Sequence, residues 1–244
     1  MLVKVGESQV EVRVECLLSM PRLAFTSNTF SWIQALMPLG IRPTMGTGAF
    51  WEQVQTRCIE SFIEKCEYLL FLDYDSFICQ ADVEHLIALA MTFQCDALAP
   101  IQTKREDGRP MLTLLGTLDN PPEDGKTSID RAWFAHPVQE VDTAHFGCTV
   151  ISTAALKRAK LPWFHATPGP DGRWNEGRVD ADIAFWRNWR ASGNRVFVTP
   201  RVCIGHGEYV ITWPGKDFSS PVYQYCAQFT EAHKKPENAW SGVE

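Results

Sequence analysis

Apolar and polar positions alternate near the start of the chain, where Val10, Val12 and Val14 are interleaved with Glu11, Arg13 and Glu15. That period of two predicts a half-buried strand running into Cys16-Leu17-Leu18. The period then lengthens. Ser27 or Asn28 is placed to cap a helix carrying Phe30, Ile33, Leu36 and Met37, with Pro38 and Gly40 closing it. Residues 41–45 read as a short extended piece and Gly46-Thr47-Gly48 as a loop. Phe50, Val54, Cys58 and Phe62 recur every fourth residue, one apolar face of a second helix. Tyr68 to Leu72 is an unbroken apolar run, the pattern of a strand covered on both faces of a parallel sheet. It ends in Asp73-Tyr74-Asp75. Asp82 can cap a third helix reaching Phe93, and Ala97 to Ile101 reads as a further strand.

Strands and helices thus alternate over roughly the first hundred residues, which predicts an α/β fold with a parallel, doubly wound sheet. Residues 104–140 hold Pro110, Pro121, Pro122 and Pro137 among many charges and read as loops with a mobile or antiparallel insertion. Order returns at Val141, with a strand over 149–152 and a short helix over 153–159. Residues 165–178 form a long loop, glycine- and proline-bearing and lid-like. A helix over about 180–191 stops at Ser192-Gly193, a strand covers 195–198, and a final segment reaches Gly205-His206. The last thirty residues are polar and aromatic without a clear period.

Composition narrows the class of protein. At 244 residues the chain suggests one large domain or two small ones sharing a core. The apolar run at Tyr68 is far short of the roughly 18 residues that cross a bilayer, so no membrane span is expected. No basic start followed by an apolar segment opens the chain, so no secretory signal is expected either. The net charge of −6 argues against general nucleic-acid binding. Eight cysteines occur without a CxxC or a close Cys/His cluster. They read as small buried hydrophobes in a reducing cytosol, and the expected location is cytoplasmic.

The chemistry centres on Asp73 and Asp75. Two residues apart in extended chain, they face the same side, and carboxylates aimed at one point repel unless a cation lies between them. Ligands of open α/β sheets gather at the carboxyl ends of strands. Together these point to an oxygen-preferring divalent cation, Mg²⁺ or Mn²⁺. The plainer alternative is a pair of solvated aspartates beginning a turn.

The Leu69–Asp75 segment resembles the DxD strand of GT-A glycosyltransferases, of the family-two or polypeptide GalNAc-transferase kind. Three further segments resemble that superfamily in the same order: His145-Phe146-Gly147-Cys148-Thr149-Val150-Ile151-Ser152, the glycine-centred strand of the acceptor half; Asp182-Ile183-Ala184-Phe185-Trp186-Arg187 with Gly193 after it, the acidic helix; and Val202-Cys203-Ile204-Gly205-His206, the terminal strand whose histidine completes a metal shell. The resemblance covers about residues 10–210. It implies a GT-A type fold: a Rossmann-like, mostly parallel central sheet flanked by helices, with a smaller antiparallel acceptor-side sheet. It implies a single catalytic domain over 1–215, comprising a nucleotide-sugar-binding half (1–103), a loop-rich insertion (104–140) and an acceptor-binding half (141–215), with a tail at 216–244 packing on it.

The activity so implied is metal-dependent transfer of a sugar from a nucleoside-diphosphate sugar, most often a UDP-sugar, to a hydroxyl acceptor. Asp73, Asp75 and His206 would hold Mn²⁺ or Mg²⁺, with imidazole favouring Mn²⁺. Met20, Pro21, Arg57, Asp73, Tyr74 and Asp75 would bind the donor. Asp182 is the candidate general base. The family often has a second acid directly before this aspartate, where this chain has Ala181. Asp180 is displaced by one residue and is the other candidate. Phe146, Gly147, Trp163 and Trp174 would meet the acceptor, aromatic faces being suited to sugar rings. Two other readings share the DxD. In a haloacid-dehalogenase-like Mg²⁺-dependent phosphatase the first aspartate is a nucleophile, but that motif sits near the start of the chain, with Thr or Val where Phe77 stands here. A non-catalytic nucleotide-sugar binder would keep the fold without turnover.

Overall fold

The alternating valines divide between two strands. In the computed structural model, which describes residues 1–20, 24–104, 109–121, 129, 131–175, 177–216, 220–232 and 234–240, a hairpin of β1 (Leu2–Val5) and β2 (Ser8–Glu11) turns at Gly6, whose φ of 61° suits a residue without Cβ. β3 (Val14–Ser19) follows, then α1 (Thr26–Leu36), continued by a 3₁₀ turn over Met37–Leu39. Next come β4 (Pro43–Gly46), α2 (Trp51–Phe62), β5 (Tyr68–Asp73), β6 (Ser76–Phe77), α3 (Gln80–Thr92) and β7 (Ala97–Ile101). The second half supplies β8 (Leu112–Leu114), β9 (Gln139–Ala144), β10 (Cys148–Ser152), α4 (Thr153–Arg158), α5 (Ala181–Ala191), β11 (Val196–Cys203) and β12 (Gly205–His206).

Eight strands form one mixed sheet in the order β4-β3-β5-β10-β7-β11-β9-β8. β3 pairs in parallel with β4 and β5, and β7 with β11. β10 runs antiparallel between β5 and β7, while β9 runs antiparallel to both β11 and β8. The antiparallel strands are therefore continuous with the parallel ones. Both faces are covered, which explains the unbroken apolar run of β5: Leu70 and Leu72 enter the core beneath α1 and α3, and Leu69 and Phe71 enter the core that holds α4 and α5.

Helix faces are where the sequence pattern misleads. Phe30, Ile33 and Met37 of the expected α1 face are exposed, and the buried residues are Asn28, Trp32, Ala35 and Leu36. The reason is polar: Asn28 Nδ2 and Trp32 Nε1 both donate to the Ser76 carbonyl, the latter at 2.8 Å, so the helix turns that side inward. In α2 the expected face is largely kept: Val54 is buried and Cys58 and Phe62 pack against the core, while Phe50, just before the helix, is exposed.

α5 is held by aromatic mass. Phe185, Trp186 and Trp189 are fully buried; Trp186 stacks on Phe146 with centroids 5.1 Å apart, and its Nε1 donates to Ala144 O at 2.6 Å. One turn on, Arg190 pairs with the buried Asp142 of β9. The helix stops at Gly193, in the left-handed region at φ 78°.

The chain divides into two units, Met1–His206 and Gly207–Glu244. The second contains an antiparallel pair, β13 (Val210–Pro214) and β14 (Pro221–Tyr225), followed by α6 (Cys226–Ala232), with Trp213 Nε1 donating to Gln224 Oε1 at 3.0 Å. Among the described residues no helix is long and apolar enough to cross a membrane.

Truncating Trp186 removes both a stacked ring and a buried donor. Trp186→Ala is expected to lower unfolding free energy by about 3–5 kcal/mol. Trp186→Phe, which keeps a ring but leaves Ala144 O without that donor, should cost about 1–3 kcal/mol. Urea unfolding curves measure both; an unchanged stability in Trp186→Phe would show that the hydrogen bond contributes nothing.

Candidate active site

Three parallel strands end side by side: in register, Ser19 of β3 lies opposite Gly46 of β4 and Asp73 of β5. A cleft of about 780 Å³ opens at these carboxyl ends, as sheets of this kind place their ligands. Of the residues anticipated from sequence it gathers Met20, Asp73, Tyr74, Asp75, Phe146, Gly147, Asp180, Asp182 and His206.

Asp73 ends β5, and its backbone N–H donates to Gly147 O at 3.2 Å. After the Tyr74-Asp75 turn the chain enters β6, which pairs antiparallel with β12, His206 lying opposite Ser76. That pairing brings His206 to the aspartates. Its Nδ1 is 2.8 Å from Thr103 O. A carbonyl only accepts, so Nδ1 carries a proton and the ring turns Nε2 towards the aspartates. Nε2 lies 3.6 Å from Asp75 Oδ2. An imidazole nitrogen and a carboxylate oxygen thus converge, an arrangement compatible with a cation or a proton between them. The outer hydrogen bond to Thr103 orients the ring as metal-binding histidines are oriented. Among the described residues no group of three or more His, Cys, Asp and Glu side chains is spaced to hold a metal ion unaided. An Asp/His pair fits a cation whose remaining positions are filled by water and substrate phosphate, the habit of Mg²⁺.

The carboxylates feel one another. Burial pushes Asp73 up to about 7, and the charge of Asp75 adds to the shift, while a hydrogen bond from Trp51 and the proximity of His206 oppose it. Asp182, in the first turn of α5, is raised by burial and by Asp180, and lowered by the Ile183 N–H that its Oδ1 accepts at 2.9 Å. Asp180 is exposed and paired with Arg178 at 3.0 Å.

Three anticipated residues lie elsewhere. Trp163 is 6% exposed and belongs to the core. Trp174 is 62% exposed and does not line the cleft; the 165–178 loop contributes Ala166 instead. Arg57 is exposed, lines separate small grooves, and donates to Thr47 O at 3.1 Å. Pro21 lies outside the described residues.

Trp51, Gln102 and His145 line the cleft and escaped the sequence reading. Trp51 opens α2 directly after a glycine loop at a strand's carboxyl end, a position that could have drawn notice. Its ring meets Phe146 and Phe164 edge-on at 5.4 and 5.1 Å. Gln102, buried, donates to Ser76 Oγ at 3.1 Å and Gly205 O at 3.2 Å, linking β6 to β12. His145 is buried with Nε2 2.9 Å from Pro100 O, and its Nδ1 accepts the Gly147 N–H at 3.1 Å. Burial lowers its pKa to about 4, so the ring is neutral. Nothing in a lone sequence marks these two. Gly147 must be glycine: a Cβ there would strike Gln102 Oε1 and come within 2.8 Å of Ser76 Oγ.

No protein-family profile and no curated protein matches the chain. Among solved structures it is similar to A197 from STIV, at 13% identity with a TM-score of 0.57, over 87% of this chain and 94% of that one. It is also similar to GalNAc-T7 crystallised with UDP, GalNAc and Mn²⁺, at 11% identity and a TM-score of 0.48, over 80% of this chain. A third match is S. aureus TarS 1–349 in complex with UDP-GlcNAc, at 12% identity and a TM-score of 0.47, over 81% of this chain. The chain spans 44% of the GalNAc-T7 chain and 59% of the TarS chain. The likeness to A197 concerns the fold alone, and the helix-covered mixed sheet is the α/β class expected from the sequence.

Gly147→Ala should therefore destabilise the chain by about 1–3 kcal/mol, the usual cost of forcing atoms into a packed site. Chemical denaturation tests it; unchanged stability would mean that Gln102 and Ser76 move aside freely.

Asp73 and His145 also predict opposing pH dependences. Between its ordinary value of 3.8 and about 7, Asp73 keeps in the fold a proton that the unfolded chain releases. Its contribution to stability therefore falls as pH rises from about 4 to about 7. His145 refuses in the fold a proton that the unfolded chain binds below 6.5, so its contribution falls as pH drops towards 4. Asp73→Asn removes the first effect alone. Wild-type minus Asp73→Asn unfolding free energy should decline across pH 4–7 (about the span of the Asp73 shift); a flat difference would contradict the shift.

Proposed function

We propose that the chain is a metal-dependent glycosyltransferase that takes a sugar from a nucleoside-diphosphate sugar, UDP-linked in the first instance, to a hydroxyl acceptor. One observation carries this reading: Asp73, Asp75, Asp182 and His206, from segments far apart in sequence, line one cleft, with His206 Nε2 3.6 Å from Asp75 Oδ2. Asp75 and His206 Nε2 would hold Mn²⁺ or Mg²⁺, and Asp73 would bind the same cation, the ribose or both. When bound, such a cation acts as a Lewis acid for the charge that builds on a departing diphosphate.

The remaining work falls to the chain. Asp182 stands on the rigid end of α5 and would take the proton of the incoming hydroxyl; burial raises its affinity for that proton. Phe146 and Gly147 line the same cleft and would meet the acceptor. Trp51, hydrogen-bonded to Asp73 and braced by two phenylalanine rings, keeps that carboxylate in place and presents an apolar edge to a sugar.

A panel of nucleotide sugars, incubated with Mn²⁺ and assayed for the released nucleotide, tests the proposal. Turnover should require the metal, and Asp75→Ala should lose donor binding together with turnover. Turnover that persists after exhaustive chelation would remove the metal from the reading. Asp182→Asn should slow transfer to acceptor by ~10²–10⁴-fold while donor affinity holds, because the metal ligands are untouched. An unaltered transfer rate would exclude Asp182 as the base and shift attention to Asp180.

A further inference from the structure

The register that pairs β6 with β12 reaches past both strands. Gly205 lies opposite Phe77 and His206 opposite Ser76. Continued outward by two residues on each side, the same register sets Cys203 opposite Cys79. The ladder's hydrogen bonds stop short of that point: Ile204 N–H donates to Ile101 O at 3.0 Å, and Ile78 N–H to Ser31 Oγ at 3.0 Å. The alternation of side chains continues through it. Ile78 and Ile204 are both buried in the same core cluster, and one step further Cys79 and Cys203 both turn to solvent. Of the eight cysteines these two alone are exposed. Opposed residues of an antiparallel pair have Cα atoms roughly 4.5–5.5 Å apart, within the range of about 4.4–6.8 Å that a disulfide spans. Cys79 caps α3: its N–H donates to Asp82 Oδ2 at 2.8 Å and its Sγ accepts the Asp82 N–H, a contact the sulfur leaves when the bond closes.

We propose that Cys79 and Cys203 are a modification site: a thiol pair that closes to an intrachain disulfide when a low-molecular-weight disulfide serves as oxidant. The thiolate of one cysteine attacks a sulfur of the small disulfide, whose S–S bond breaks and releases one small thiolate. The thiolate of the partner cysteine then attacks the protein sulfur of this mixed disulfide, and the second small thiolate leaves. Two protein thiols have lost two protons and two electrons, and the small disulfide has become two thiols. The new bond ties the root of β12, which carries His206, to the start of α3, just beyond the strand that follows Asp75.

The test uses the full chain, folded, with oxidised glutathione as the probe, followed by alkylation of the remaining thiols and peptide mapping without reduction. The expected result is one cross-linked peptide pair containing Cys79 and Cys203, in a chain that stays monomeric by non-reducing electrophoresis and reverts with dithiothreitol. Cys79→Ser and Cys203→Ser should each abolish the cross-link and leave the remaining cysteine carrying one glutathione. The proposal is overturned if wild-type chain is found with both cysteines alkylated, with a glutathione on each, or with a bond joining two copies. The readout is the thiols themselves, so it stands or falls independently of any transferase activity.

Discussion

The short pairing of β6 with β12 is the constraint on which the cleft depends. Only two residues of each strand take part, yet the junction is tied from three directions. Asn28 and Trp32 of α1 hold the Ser76 carbonyl, Gln102 holds the Ser76 hydroxyl and the Gly205 carbonyl, and Thr103 holds the His206 ring. Buried polar groups of this kind must be satisfied, and here satisfying them fixes the position of a histidine against an aspartate. The glycine at 147 belongs to the same arrangement, because its missing side chain leaves the room that Gln102 and Ser76 occupy.

The cleft also concentrates negative charge where water is scarce. Asp73, Asp75 and Asp182 share it, and burial displaces Asp73 and Asp182 upward. A fold that gathers like charges in a desolvated place gives up stability there and keeps it elsewhere. In this chain the aromatic packing behind the cleft offsets that loss. Phe146 touches Trp51, Phe71, Phe164, Phe185 and Trp186, so one ring joins the cleft wall to the core beneath α5.

Much of this was legible in the sequence, for definite reasons. A run apolar on both faces has one home, the middle of a covered sheet, and the carboxylates that end it follow. α5 was legible because its stop signal, Ser192-Gly193, is chemical. Helix faces were not legible where polar contacts overrode hydrophobic period, as at Asn28 and Trp32. Strand β9 was not legible as a strand: order is expected only from Val141, and Gln139 and Glu140 mask the start. Trp163 and Trp174 were favoured because loop tryptophans often face ligands. One packs in the core and the other faces solvent, whereas Trp51, the tryptophan at the cleft, stands at a helix start. Gln102 and His145 act through hydrogen bonds to residues distant in sequence, a relation that composition and periodicity do not encode.

The distance in sequence between the two halves of the β6–β12 junction has a consequence for the order of events during synthesis. Thr103 and His206 meet across 103 positions, and Ser76 meets His206 across still more. Contacts this non-local form late, because the entropy of closing so long a loop must be met before they contribute. A chain emerging from the ribosome therefore displays its paired aspartates well before their histidine exists. The meeting of Asp75 and His206 is complete only when the unit's last strand has been made and docked. Completion of the fold and acquisition of the site are, for this molecule, the same step.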